Sequence, residues 1–508
     1  MNVHFAKSSL TGVAQFVVSS VLIFITIPIF IRSLGTEAYG LFSLVGVIGS
    51  VNTFANLGLN LSLVRFLAQQ GKTAESDLDI VVTLTILMTV LVPLVACAFT
   101  LEETILVRIL NVPPQLISDA TWLFDAMLIS NIIILLGQIF TAILDSQQKV
   151  YLTNLFQVTY NILYWGLILS VLFLGYSLKA IAVVITFAAA VWFCTVVVSS
   201  MHSWGSLSFK GFRQEGMRVS KKQLQYGIKI YTGGLVGFFY EPLTKILVSN
   251  FLGIRDVGLF DIGLRVRNQI YGLGAKLLYP LYPIMSQLED SKKVRMLVHD
   301  VEQKIFFVVV PIIAMIVLIT HPLVSLVFAA NTDVISITIV SIVAAFLLGS
   351  ITVTPNYLFL TAKGYASKTI ILQLVNVVVN AVVLIALFKW LGYYAVIAGN
   401  SIAILASCAL SLYYQNVYLN SKVFDSVKQP IVVVFVFSVA LLAALLVSEL
   451  STSPAWKIVS GLFIITIVST LLYRYFSLFK PPDIFRYFGK ETFYSTLFLK
   501  ILCPDDGQ

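Results

Sequence analysis

The sequence predicts an all-α integral membrane protein of about fourteen transmembrane helices, arranged as two parallel six-helix repeats around a central cavity with two extra C-terminal helices. Three observations predict it. Of 508 residues, 58% are hydrophobic and only 11% are charged, with a mean hydropathy of +0.94, whereas soluble domains carry about 25% charged residues. The apolar runs are about 20 residues long, enough for a helix to cross ~30 Å of hydrocarbon, and unlike the ~10-residue alternating segments of a membrane barrel. Finally, short motifs recur at one spacing in the two halves of the chain.

The first run, 10–33, has no small-residue cleavage pattern after it and reads as a spanning helix rather than a removable signal. Further spans are expected at 39–66, 79–101, 117–143, 153–174, 179–200, 226–250, 258–286, 303–327, 335–361, 370–389, 393–418, 430–448 and 456–478. With the N-terminus inside, 21 of the 33 Lys and Arg residues fall on the cytoplasmic side, six outside and six within spans. That asymmetry predicts both termini in the cytoplasm.

The longest polar connection, 201–225, holds five basic residues and three glycines and reads as a cytoplasmic linker. It separates an N-lobe, 1–200, from a C-lobe, 226–420. Spans thirteen and fourteen (430–478) and a cytoplasmic tail (479–508) follow. The tail mixes aromatic and basic residues, and two readings stay open: an amphipathic segment on the membrane surface, or an ordinary tail. LGTEAYGLF at Leu34–Phe42 returns as LGIRDVGLF at Leu252–Phe260, and LGY at Leu174–Tyr176 returns at Leu391–Tyr393. Copies with an even number of spans have the same orientation, and transporters so built place their site at the repeat interface.

The polar residues inside the spans carry the functional reading. GLFDIGLRVRNQIYGLGAKLLYP, Gly258 to Pro280, holds Asp261, Arg265, Arg267 and Lys276, each costing about 2.5–3.5 kcal/mol at a helix centre. At helical spacing Asp261, Arg265, Asn268, Gly272 and Lys276 share a face, and Arg267 points elsewhere. A face like this looks into a polar cavity, and its positive sign suits an anionic substrate. Structural alternatives stand beside it. Asp261 and Arg265 are four apart and can pair, and Arg267 or Lys276 can snorkel along its own stem. Which of Arg265 and Arg267 faces the cavity is open.

Span seven adds Lys229, Glu241 and Lys245, the last two spaced to pair with each other. Asn52, Asn56 and Asn60 form an amide stripe on span two, and Gln373, Asn376 and Asn380 lie on span eleven. Amides can contact a polar substrate or simply join helices. Glu241, Asp261 and Asp125 are the acidic residues within spans, away from the span ends, and any could bind a coupling proton or sodium ion; no other cofactor is expected. Gly233, Gly234, Gly237, Gly263, Gly272 and Gly274 would let spans seven and eight bend and approach neighbours.

Other classes find little footing. Cys97, Cys194, Cys408 and Cys503 are far apart, as are the four histidines, so neither disulfide framework nor metal site is suggested. Basic residues are scattered over short loops, which argues against a nucleic-acid partner. No phosphate-binding glycine loop is found. A membrane glycosyltransferase or polymerase would need a large outer loop with clustered carboxylates, but the longest expected one is 102–116.

The stretch 27–69 carries Pro28, Arg32, Leu34-Gly35, Tyr39-Gly40, Gly58-Leu59 and Arg65. It resembles the opening of the polysaccharide-exporter branch of the multidrug/oligosaccharidyl-lipid/polysaccharide superfamily. The resemblance covers twelve spans in layout and the first two in motif. It implies a flippase for undecaprenyl-pyrophosphate-linked O-antigen or capsule units in the bacterial cytoplasmic (inner) membrane, working by alternating access. The implied partners are that polyprenyl-linked glycan, membrane lipids, and polysaccharide polymerase or chain-length machinery. Arg265, Arg267, Lys276, Lys245 and Lys229 would compensate the pyrophosphate, with Asn268, Asn52, Asn56 and Asn60 on the sugars. A lipid II flippase is the nearest alternative. A drug–cation antiporter is weaker, because the spans hold six cations and three acids.

Overall fold

A computed structural model of the chain describes residues 3–47, 58–208, 212–278, 290–328, 331–420, 436–444 and 453–475, with single positions between. Asn52, Asn56, Tyr279, Tyr282, Cys503 and the tail from 476 lie outside the described residues. The described residues form helices and connections without a strand, and nine of the helices are long and apolar enough to cross a membrane. The protein is an all-α, multi-pass membrane protein.

The first expected span and the start of the second form one long helix, α1 (Val3–Val45), interrupted at Gly35. Gly35 takes φ 88°, ψ 164°, a conformation closed to L side chains by backbone sterics alone, since no atom lies within 4 Å of where its Cβ would be. The second span ends in α2 (Leu59–Gln70), and α3 (Ala74–Thr100) follows. Thr73 starts α3 with a capping box: its hydroxyl accepts from the Ser76 amide at 3.1 Å, and Ser76 Oγ accepts from the Thr73 amide at 2.8 Å. Thr73→Ala should lower stability by about 1 kcal/mol, read as an earlier thermal unfolding in detergent.

Next come α4 (Ile117–Ser146), α5 (Val150–Phe173) and α6 (Leu178–Trp204). The expected outer loop at 102–116 is folded into short helical turns. The 201–225 stretch also differs from a plain linker. Helix α7 (Phe212–Phe238) begins inside it, because the polar run is amphipathic. Val219 is buried in a core with Leu59, Leu78, Val82 and Ile86, while Met217, Arg218 and Lys221 face outward.

The seventh span is not continuous. α7 stops at Phe238 and α8 (Tyr240–Phe251) begins two residues on. Pro242 explains the break, since its ring lacks an N–H for the Phe238 carbonyl and clashes with it. α9 (Ile254–Leu278), α10 (Ser291–Val327), α11 (Thr332–Ala362), α12 (Ala366–Leu391), α13 (Tyr394–Leu419) and α14 (Pro454–Tyr475) complete the described helices, with a shorter helical piece at 436–444.

The chain forms two compact units, residues 1–261 with 384–393, and residues 262–383 with 394–508. In the first, Leu63 and Leu67 of α2, Ile80 and Leu87 of α3, Ile139 and Ile143 of α4 and Trp204 of α6 make one core. Two further cores lie among the described residues of the second unit. Val294 and Val298 of α10, Phe359 of α11, Leu372 of α12 and Tyr414 of α13 make one. Phe307, Ala314 and Leu318 of α10 meet Phe437, Ala440, Ala444 and Ile465 in the other, which seats the C-terminal helices on α10.

The repeat is written into the backbone as well as the motifs. Positive-φ residues occur as Gly35 and Gly253, Asn111 and Asn331, Gln148 and Gly364, Gly175 and Gly392, and Gly205 and Asn420. Each pair is separated by roughly 218 residues, as parallel copies require. Five turns thus recur at matching places in the two copies.

Candidate functional site

The two copies of the nine-residue motif meet. A Cβ on Gly40 would lie 2.0 Å from the Ile254 carbonyl oxygen, and one on Gly258 would lie 2.8 Å from the Thr36 carbonyl oxygen and 3.1 Å from Gly40 Cα. Gly40 and Gly258 occupy the same motif position, as do Thr36 and Ile254. The contact is therefore symmetric: each copy lays its glycine on the other's backbone, a small-residue crossing that lets membrane helices touch.

A buried charge cluster flanks this crossing. Tyr39, beside Gly40, packs its ring on Phe30 and Phe42 and donates its hydroxyl to Asp261 Oδ2 at 2.5 Å. Lys245 Nζ lies 2.7 Å from Asp261 Oδ1 and 2.7 Å from Glu241 Oε1. Asp261 is 1% exposed and Lys245 5%. Local sequence accounts for the geometry: Glu241 and Lys245 are one turn apart on α8, and the turn at Leu252–Gly253 brings α9 back so that Asp261 reaches the same ammonium. One ammonium thus bridges two carboxylates. Desolvating such charges is offset only by close pairing and by hydrogen bonds such as Tyr39's.

Asp261 thus takes Lys245 as a partner across the turn and Tyr39 across the motif crossing. Lys245 is held between acids rather than presented alone. Arg265 and Arg267 are half-buried farther along α9, and Arg267 donates to Asn268 Oδ1 at 2.9 Å, with Asn268 exposed. Lys276 is on α9 and Lys229 on α7; their side chains lie outside the described residues. Asn60 is half-buried on α2. Asp125, on α4, belongs to neither group. Its Oδ1 is buried without a hydrogen bond among the described residues. Nearby Glu102 has its carboxyl pushed up, first by burial, with the Asp125 charge adding to it. Gly263 lets α9 close on α11, its absent Cβ facing Ile342 and Thr338.

Sequence reasoning missed Tyr39 as a partner, although it lies in the repeated motif. It also missed Glu302 of α10, whose Oε1 accepts from the buried Gln415 amide of α13 at 2.5 Å. The available signal was a polar residue at the edge of an apolar run on each helix.

Comparison with known proteins agrees with this architecture. A family model described as polysaccharide biosynthesis protein matches residues 6–289. No curated protein sequence matches the chain significantly. Among solved structures, "Lipid II flippase MurJ, inward closed conformation" aligns with a TM-score of 0.69 at 14% identity, covering 92% of this chain and 99% of that one. An inward-facing multidrug resistance MATE family transporter of the MOP superfamily aligns at 0.62 and 14% identity, covering 81% and 99%. The MATE multidrug transporter DinF-BH aligns at 0.60 and 16%, covering 82% and 96%. At such identities the likeness is one of fold.

Proposed function

We propose, from the premise that the chain belongs to the polysaccharide biosynthesis protein family, that it is a flippase for a polyprenyl-pyrophosphate-linked oligosaccharide such as an O-antigen or capsule unit. The observation that carries this reading is the cationic run Arg265, Arg267 and Lys276 on one helix of a membrane protein from that family. A pyrophosphate is too costly to carry across hydrocarbon uncompensated, and guanidinium or ammonium groups supply charge-assisted hydrogen bonds. Asn268 and the span-two amides suit the sugar hydroxyls. The two repeats would rock about the Gly40–Gly258 crossing and open the path to each leaflet in turn, coupled to a proton or sodium ion.

The membrane in this reading is the bacterial cytoplasmic one, with both termini inside and a polymerase or chain-length partner receiving the product. A lipid II substrate is the second reading, favoured by the fold shared with a lipid II flippase and by the same pyrophosphate chemistry. Drug–cation antiport fits less well, because a cation repels a basic helix.

The test is complementation in a host lacking its own lipid-linked-glycan flippase. Arg265→Glu, Arg267→Glu and Lys276→Glu are each expected to cut surface glycan at least tenfold and to accumulate lipid-linked precursor, at matched expression. Lys/Arg exchanges should separate charge from geometry. Intact export in all three reversals would remove the anionic-substrate argument.

A further inference from the structure

Two aspartates at the start of α3 have opposite surroundings. Asp77 is met by Lys72 Nζ at 2.8 Å, by Trp204 Nε1 at 2.8 Å and by the Ser208 amide at 3.1 Å. A cation and two further donors suit an ionised carboxylate. Asp79 is 1% exposed, and its partners are neutral. Gln223 Nε2 of α7 donates to Asp79 Oδ1 at 3.0 Å and to the Asp79 carbonyl at 3.0 Å, while Gln223 Oε1 accepts from Thr83 Oγ1 at 2.8 Å. From α2 the Gln70 side chain lies alongside.

The charged groups around Asp79 are few. Among the described residues they are Lys222 of α7 and Glu75 of α3, with the Gln70 amide facing Asp79 from α2. Lys222 and Glu75 are half exposed and face each other at 3.9 Å, and the Lys222 ammonium also lies over the Phe66 ring at 4.5 Å. Neither delivers a hydrogen bond to Asp79. An ionised carboxylate here would be desolvated for several kcal/mol without a paired cation. The neutral acid has no such penalty. It also resolves a pair of unsatisfied atoms: Asp79 Oδ2 and Gln70 Oε1 are both buried acceptors without a hydrogen bond among the described residues. One proton on Oδ2 supplies the donor that the neighbouring Gln70 Oε1 acceptor lacks.

We propose that Asp79 is a proton-binding site, occupied when α2, α3 and α7 are packed as in this structure, and that proton release loosens α7 from α3. The inference is independent of the transported substrate. α7 leads through the Pro242 break into α8, so the helix that reads the proton adjoins the one that carries Glu241 and Lys245.

Infrared spectroscopy on the full-length protein in lipid nanodiscs tests this, comparing wild type with Asp79→Asn and Asp77→Asn. The carbonyl band of a protonated carboxylic acid is expected at neutral pH in wild type and in Asp77→Asn, and is lost in Asp79→Asn. Thermal unfolding is the second readout. A proton held by the folded state and released on unfolding makes wild type less stable as pH rises. Asp79→Asn, which mimics the neutral acid, should flatten that slope and match or exceed wild type at neutral and alkaline pH. Asp77→Asn should instead lower the unfolding temperature at neutral pH. An unchanged carbonyl band in Asp79→Asn, or a variant that unfolds below wild type at neutral and alkaline pH, would overturn the proposal.

Discussion

Gly40→Val and Gly258→Val are each expected to leave no folded protein, and Gly40→Ala to unfold well below wild type. The first atom a new Cβ meets at Gly40 is the Ile254 carbonyl oxygen, at 2.0 Å, and the carbonyl carbon follows at 2.9 Å. Overpacking costs about 1–3 kcal/mol where side chains can rearrange. Here the obstacles are backbone, so the helices themselves must part, and the loss should reach or pass the top of that range. Total stabilities of about 5–15 kcal/mol leave little room for it. Gly166→Ala on α5 is the control. No atom lies within 4 Å of its new Cβ, and replacing a mid-helix glycine by alanine gains about 0.5–1 kcal/mol. Thermal unfolding of purified protein in detergent, with the monodisperse fraction after extraction, distinguishes them. If Gly40→Ala melts with wild type, the close crossing is not present in the membrane protein.

That glycine pair also shows what is legible in the chain before its fold is known. The motif copies at Leu34 and Leu252 are visible as letters because the backbone needs each glycine: Gly35 and Gly253 adopt positive φ, and Gly40 and Gly258 permit contact. Spans are visible because a bilayer demands long apolar runs. The Glu241–Lys245 pair is visible because it is local. Tyr39 and Asp261 are 222 residues apart, and no periodicity connects them. The i, i+4 spacing of Asp261 and Arg265 points along the helix and carries no sign of the buried ammonium of α8 across the turn. Composition misleads at 212–225 for a related reason. A run rich in Lys, Arg and Gln reads as a connection, yet one face of it buries Val219 and Gln223. Pairs such as Asp79–Gln223 and Glu302–Gln415 depend on which helices become neighbours, and neither helix alone carries that information.

Lys245→Met should be the most damaging single change in the charge cluster. Methionine keeps much of the stem's volume but removes the ammonium, so Glu241 and Asp261 lose the cation that each touches at 2.7 Å. Breaking a buried pair from one side costs about 3–5 kcal/mol, because the remaining charge stays desolvated. The loss should be insensitive to salt, since a buried site is screened far less than the surface. Lowering the pH should recover part of it by protonating the stranded carboxylates. Removing the second charge should also help. In Lys245→Met/Asp261→Asn the amide oxygen can still accept from Tyr39, and only Glu241, the more exposed acid, remains charged. The double variant is therefore expected to be more stable than Lys245→Met alone, with a coupling of a few kcal/mol in the cycle. Unfolding temperatures of the four proteins across pH and salt supply the cycle. Surface glycan from the same set would then separate two roles. A restored fold with restored export makes the cluster a strut for the motif crossing, whereas a restored fold without export makes its charge part of the transport step.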